Sequence, residues 1–295
     1  MGHSPSLRIL FLSANRIMAP RMAIDEELTA IEHALRGRPG ECGLVSQVDL
    51  TPDQFIAAIQ SHPADILHIS AHAENGRIHL QGKGKQSIGF GELVELLGVT
   101  AKKFGPPRLV ILNACDTEAG LELLCKHVDC AIGMSTRISE HVAYLFTSTF
   151  YACLGRGLSV DQAFSVTLLR LQMSDQVSNE APRLARREGV DTSELVLLPV
   201  RQPRGGRGAR VIGNRYEVPP DNLGRGSKAT VYKALDLWSD STEHVALRLL
   251  HVNPAHNGPI VARFFHGAEQ AHKLSHPNIV RVLDIGPRQE PISIT

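Results

Sequence analysis

No stretch of the 295 residues reaches the roughly eighteen apolar residues that a membrane-spanning helix requires. The run at residues 9–14 is too short for the core of a secretory signal and lacks a small-residue cleavage site. Neither a membrane-spanning nor an exported protein is expected. Charge of one sign is also lacking: 31 Lys plus Arg stand against 30 Asp plus Glu, a net charge of +1. That balance gives no global field toward nucleic acid or anionic lipid. The five cysteines (Cys42, Cys115, Cys125, Cys130, Cys153) show no paired C-x-x-C spacing and no zinc-finger histidines. A disulfide-stapled module is excluded, and free thiols in a reducing cytoplasm are expected. Met1-Gly2 followed by Ser6 fits the N-myristoylation pattern formally, at the level expected of chance.

A hydrophobic content of 43% and a charged content of 21% are those of a folded, water-soluble chain, with room for about two domains. From residue 7 to about 173 short apolar runs alternate with amphipathic segments. Strands are predicted at 7–13, 44–50, 65–70, 108–113 and 130–134, and a hairpin at Asn75-Gly76. Helices are predicted at 23–36, 53–61, 90–97, 118–127, 140–154 and 159–171, the last opened by Ser159 as N-cap. The alternation predicts an α/β fold with a mainly parallel sheet flanked by helices. Periodicity fades over residues 174–211, which read as an Arg/Gly-rich linker carrying Arg201, Arg204, Arg207 and Arg210. No aromatic residue interleaves these arginines to stack on bases, and no nucleic-acid partner is expected. Strand-like and helical segments resume over 212–295, with strands near 231–235, 245–251 and 280–284 and a helix near 261–273.

Two apolar runs expected to lie side by side each end in a reactive residue: 65–71 leads into His72, and 109–114 leads into Cys115. Carboxyl ends of parallel strands are where α/β folds place their sites. An imidazole within hydrogen-bond reach lowers a thiol's pKa and takes its proton, which makes it a usable nucleophile. By spacing alone, a buried structural thiol and a rim histidine bonded to a carbonyl fit better.

The segments Ile66-Leu-His-Ile-Ser-Ala-His72 and Leu109-Val-Ile-Leu-Asn-Ala-Cys115-Asp-Thr117 resemble the His and Cys boxes of the CHAT peptidases, in the clan of caspases and separase. Residues 9–15, 25–28, 127–134 and 157–164 also resemble that family, so the likeness spans about 7–173. It implies a caspase-like sandwich acting as a cysteine endopeptidase on a protein substrate, with no cofactor, in a bacterial signalling or defence setting. It implies that His72 is general base and acid, that Cys115 attacks the peptide carbonyl, and that backbone N–H groups at Ala73 and Cys115 hold the oxyanion. The chain departs from the family at Ala73, where the family usually has Gly and the backbone approaches the substrate. Basic-specific relatives place an acid two residues before the Cys; Asn113 stands there, with Asp116 and Glu118 as further specificity candidates. His68 and His72 have helical chelate spacing but fall on a predicted strand, so no metal site is expected.

A second constellation begins at Leu223-Gly-Arg-Gly-Ser-Lys-Ala-Thr-Val231, a glycine pair between two strands where backbone N–H groups could cradle phosphates. Its order before Val245-Ala-Leu-Arg-Leu-Leu250 and His276-Pro-Asn-Ile-Val280 resembles the small lobe of a Ser/Thr protein kinase over about 212–286. The resemblance implies ATP as ligand, with Gly224, Gly226, Val231 and Arg248 as nucleotide-binding candidates. The third loop glycine is replaced by Ala229 and the strand lysine by Arg248; the position of the helix glutamate falls at Gly267, two residues before Glu269. No H-R-D or D-F-G sequence follows, so phosphoryl transfer by this chain alone is not expected. A truncated kinase and a degenerate small lobe kept as a protein-partner module both fit. Three readings stay open: a CHAT-type endopeptidase, a catalytically silent CHAT scaffold acting by contact, and an ATP-binding kinase fragment.

Overall fold

The computed structural model describes residues 7–14, 22–35, 42–82, 86–135, 139–173, 182–199, 208–212, 215–237, 244–251 and scattered positions between 263 and 294. The chain divides into two compact units, Met1–Pro199 and Val200–Thr295.

The first unit contains, in order, β1 (Leu7–Ala14), α1 (Met22–Leu35), β2 (Cys42–Gln47), α2 (Pro52–Ser61), β3 (Ile66–Ala71), β4 (Ala73–Glu74), β5 (Arg77–His79) and β6 (Ser87–Gly89). It continues with α3 (Phe90–Phe104), β7 (Leu109–Asn113), α4 (Glu118–Leu124), β8 (Cys130–Met134), α5 (Glu140–Gly155), α6 (Val160–Gln172) and β9 (Pro182–Arg186). Six strands form one sheet in the order β2-β1-β3-β7-β8-β9, parallel except for β9, which runs antiparallel to β8. The predicted α/β class with a mainly parallel sheet is the observed one.

The central strands read as nearly unbroken apolar runs because both faces are covered. Ile9, Phe11, Ile66, Leu109 and Ile111 face a layer built by α1, α5 and α6. Leu10, Leu12, Leu67, Ile69, Val110 and Leu112 face the layer built by α2, α3 and α4. At the amino ends of the strands, Arg8 grips Asp65 with Nε to Oδ2 at 3.0 Å and Nη2 to Oδ1 at 2.8 Å. This bidentate pair fixes the starting register of β1 against β3.

Helix starts follow the local chemistry. Thr51 caps α2 with a reciprocal bond to Gln54 and Pro52 in the first turn, and Ser159 caps α6 in the same way with Gln162. The predicted hairpin forms between β4 and β5; Asn75 (φ 52°) and Gly76 (φ 72°) take the left-handed conformations a two-residue turn demands. Helix α3 runs seven residues past the predicted end at 97 and stops at Gly105 (φ 78°), while α4 ends three residues short of the predicted 127.

The edge strand β9 lies inside the segment assigned to the linker, and Leu195, Leu197 and Leu198 after it are buried in the α1/α5/α6 layer. Val160 N–H donates to the Leu195 carbonyl at 2.9 Å, tying this return to the start of α6. Periodicity fails here because a short, half-exposed edge strand and an irregular return bury residues without a repeat. Residues 174–181 and 200–207, including Arg201, Arg204 and Arg207, lie outside the described residues, as do 1–6 with the myristoylation pattern.

The second unit carries an antiparallel sheet of β10 (Arg210–Ile212), β11 (Tyr216–Val218), β13 (Ala229–Asp236), β14 (His244–Leu250) and β15 (Ser293–Ile294), with β12 (Gly224–Arg225) also paired to β13. Tyr216, Val218, Ala234, Leu247 and Leu249 form its core. Arg215 holds Asp236 with two bonds, 2.9 and 2.8 Å. The described residues between 263 and 271 are helical, as predicted; 280–283 form no strand, and Asp284 lies outside the described residues.

Candidate active site

His72 and Cys115 leave neighbouring strands at one level. The β3/β7 register ends at Ser70 opposite Asn113, and each candidate follows its own strand's last pair by two residues. Adjacent strands lie about 4.8 Å apart, a separation that imidazole and thiol side chains can span. His72 is exposed and Cys115 half-buried. No hydrogen bond joins the two side chains in this structure.

Each residue is pinned by its backbone. The His72 carbonyl accepts from His79 N–H at 2.8 Å across the β4/β5 hairpin. Ala73 and Ile78, the next pair, form a non-hydrogen-bonded step, which turns the Ala73 N–H away from β5. The Ala73 methyl is buried in the apolar layer with Ile78 and Ile88, so it fills core space.

The turn carrying Cys115 hangs from Thr117. Thr117 N–H donates to the Met134 carbonyl at 2.8 Å, and Met134 N–H donates back to Thr117 Oγ1 at 2.8 Å. The same hydroxyl donates to the Ala114 carbonyl at 3.1 Å and the Leu112 carbonyl at 3.3 Å. This approach needs Gly133: a Cβ there would sit 2.7 Å from Thr117 Oγ1. Between them Asp116 adopts φ 51°, the left-handed region that Asp tolerates better than most residues.

The remaining cysteines are placed differently. Burial pushes the Cys130 thiol up to about 12 and raises those of Cys125 and Cys153. These suit core packing, not nucleophilic chemistry.

The three specificity candidates separate. Asp116 is exposed, and Glu118 pairs with Arg183 of β9 at 3.4 Å. Asn113 is only 3% exposed, and its amide donates to Glu27 Oε2 at 2.8 Å, to Thr147 Oγ1 at 3.2 Å and to the Ala143 carbonyl at 3.4 Å. It is committed to a buried polar cluster and does not face the surface shared by Asp116.

That cluster was not anticipated. Glu27 of α1 accepts from Ser70 and Thr147 as well as Asn113, and His68 Nε2 lies 3.4 Å from Glu27 Oε2 without hydrogen-bond alignment. His68 Nδ1 sits 3.2 Å from the Tyr151 hydroxyl. His68 is fully buried while His72 is exposed, so the pair does not converge on one point. One signal was available in the sequence: Ile24, Ile31 and Leu35 form a helical apolar stripe, and Glu27 stands within it.

In the second unit, Gly224 and Gly226 are exposed, and Gly226 N–H is engaged by the Ala229 carbonyl at 2.8 Å. Val231 lies opposite Arg248 across β13 and β14. The Arg248 guanidinium sits over the Phe264 ring at 5.3 Å. Gly267 is exposed, and Glu269 lies outside the described residues.

No helix among the described residues is long and apolar enough to cross a membrane. The chain is 35% identical over 83 residues to the serine/threonine-protein kinase PrkC of Bacillus subtilis, covering 28% of this chain and 12% of that protein. It is 42% identical over 77 residues to a probable serine/threonine-protein kinase of Streptomyces coelicolor, covering 26% and 11%. The chain thus spans about an eighth of the length of these relatives. Among solved structures it is similar to a secreted C11 cysteine protease from Bacteroides thetaiotaomicron, with 12% identity, a TM-score of 0.46, and 61% and 66% of the two chains covered. It is also similar to the Drosophila initiator caspase Dronc, with 8% identity, a TM-score of 0.47, and 68% and 86% covered. The CHAT domain model matches residues 11–239, more than three quarters of the chain, and the chain belongs to the CHAT domain family.

Proposed function

We propose that the first unit is a cysteine endopeptidase in which Cys115 and His72 form the working dyad. The observation that carries this reading is the parallel register that brings both residues off neighbouring strands at one level. His72 takes the proton of the Cys115 thiol, and the sulfur attacks the carbonyl carbon of a peptide bond. The resulting oxyanion is held by the N–H groups of Ala73 and Cys115, the former turned away from its hairpin partner. The His72 imidazolium then protonates the departing amine, leaving a thioester on Cys115. Water, deprotonated by His72, attacks the thioester carbon, and the acid product leaves as the thiol is restored. The Ala73 methyl is compatible with this arrangement because it packs into the core.

A protein substrate and a bacterial signalling or defence setting accompany the reading. For the second unit we favour a kinase-like contact module over a phosphoryl-transfer unit, because Arg248 lies over Phe264 where the kinase pattern has a lysine for phosphate. ATP then has no required part in the peptidase chemistry.

The test is cleavage of a mixed peptide library by the wild type, Cys115→Ala and His72→Ala. Each substitution is expected to lower turnover on the order of 1,000-fold or more, since the pair acts as a unit. Cleavage undiminished in Cys115→Ala would remove the thiol mechanism, and no cleavage by the wild type would leave the scaffold reading.

A further inference from the structure

We infer that Glu27 is a positioning residue for the dyad: its carboxylate ties the two strands that end in His72 and Cys115 to each other, just below both residues. The inference rests on the dyad reading above. Ser70 Oγ donates to Glu27 Oε1 at 3.0 Å, and Asn113 Nδ2 donates to Oε2 at 2.8 Å. Ser70 and Asn113 are register partners, and each lies two residues before a dyad member on its own strand. Thr147 Oγ1 of α5 donates to Oε2 at 3.1 Å, so the clamp also holds the strand pair to the covering helix.

Glu27 is 2% exposed and occupies an apolar stripe of α1 that closes the core against α5. Packing alone calls for an aliphatic side chain there. Replacing buried charges by well-packed apolar residues is often neutral or stabilising, so stability is a poor reason for a carboxylate at this place. Three donors converge on its two oxygens, so the side chain fixes where those donors sit. His68 faces the same oxygen from one side, and its ring is held by Phe11 at 5.0 Å and Tyr151 at 5.8 Å between centroids, so the carboxylate has little room to move. The strand ends beyond Ser70 and Asn113 have no further ladder bonds to each other. The relative height of His72 and Cys115 therefore depends on the clamp beneath them.

The variants are Glu27→Leu, which keeps bulk and removes the bridge, and Glu27→Gln, which keeps one acceptor. Asn113 Oδ1 has no hydrogen-bond partner, so the amide can turn to accept from a glutamine at 27. The readout is the pH profile of Cys115 alkylation by iodoacetamide, with and without His72→Ala, beside circular dichroism and the thermal midpoint. We expect Glu27→Leu to stay folded, to alkylate at neutral pH slower by on the order of 10- to 100-fold, and to be indifferent to His72→Ala. Glu27→Gln should keep most of the reactivity. Alkylation of Glu27→Leu that matches wild type and still responds to His72→Ala would reduce Glu27 to a packing residue and overturn the inference alone. A wild type whose profile His72→Ala leaves unchanged would overturn the dyad reading, and this inference with it. Should Glu27→Leu fail to fold, Ser70→Ala and Thr147→Val decide by the same criterion, each removing one bond of the clamp.

Discussion

The turn under Cys115 gives a quantitative test of how that residue is held. Thr117→Val keeps the shape of the side chain and deletes its hydroxyl. That hydroxyl accepts from Met134 N–H at 2.8 Å and donates to the Ala114 carbonyl at 3.1 Å, and Met134 is fully buried. A buried N–H left without a partner costs about 1–3 kcal/mol, and the lost bond to Ala114 adds about 1 kcal/mol. The expected loss is therefore about 2–4 kcal/mol. In a unit of nearly 200 residues this corresponds to a fall in melting temperature of roughly 4–16 °C. Thr117→Ser keeps both bonds and deletes one buried methyl, at a cost of about 1 kcal/mol. The serine variant should melt above the valine variant, although valine is closer in size. Thermal unfolding followed by circular dichroism measures the order. A valine variant as stable as the serine variant would show that the Thr117 hydroxyl is not what suspends the turn.

Two further outcomes follow from the placement of titrating groups. With the thiols of Cys125, Cys130 and Cys153 raised by burial, iodoacetamide at pH 8 should label Cys115 in the native protein ahead of these three; peptide mapping that finds Cys130 modified at the rate of Cys115 would contradict the placement. Burial pushes the Asp65 carboxyl up, but its hydrogen bonds from Arg8 outweigh this and hold it below the usual carboxylate range. A carboxyl lowered in the folded state contributes stability above its unfolded pKa of about 3.9, and that contribution is lost as pH falls through the folded-state value. Arg8→Met should therefore lower the melting temperature at pH 6 and flatten its fall on acidification below about pH 4; an acid limb as steep as that of wild type would count against the pair.

Much of the fold was legible because burial on both faces writes itself into sequence. The segments ending at Ala71 and Asn113 are apolar runs of strand length, and α6 opens at the Ser159 cap that the sequence marks. His72 and Cys115 drew notice as the first reactive residues past two such runs, but their roles came only from the likeness to the CHAT family's His and Cys boxes. What escaped has a physical pattern too. The edge strand at Pro182–Arg186 is half-exposed and paired on one side only, so it carries neither the apolar run of a central strand nor a helical period. Glu27 escaped because periodicity treats an acid as a surface residue, and only the three donors arriving from distant segments make it an interior one. Asn113 was a specificity candidate because it fills the position, two before Cys115, where basic-specific CHAT relatives have an acid. Parity along β7 places it on the Leu109 and Ile111 face, under α1 and α5.

That parity extends across three strands and makes a last test. On the face toward α1 and α5, β1 changes from Ile9 and Phe11 to Ser13, β3 from Ile66 to Ser70, and β7 from Ile111 to Asn113; the register sets Ser13 beside Ser70 and Ser70 beside Asn113. At the same level the other face stays apolar, with Leu12, Ile69 and Leu112. A buried polar row at the carboxyl edge is therefore specific to the face toward α1 and α5. Its members are not equivalent in energy. Ser70 gives its proton to the Glu27 carboxylate, a charge-assisted bond of about 1.5–3 kcal/mol, whereas Ser13 Oγ is buried with no hydrogen-bond partner among the described residues. Ser70→Ala should lower stability by about 2 kcal/mol, while Ser13→Ala, which removes only an unpaired buried hydroxyl, should be neutral or stabilising by about 1 kcal/mol. Urea unfolding at constant m-value separates the two. Equal losses at both positions would mean that the row is held by something other than the carboxylate of Glu27.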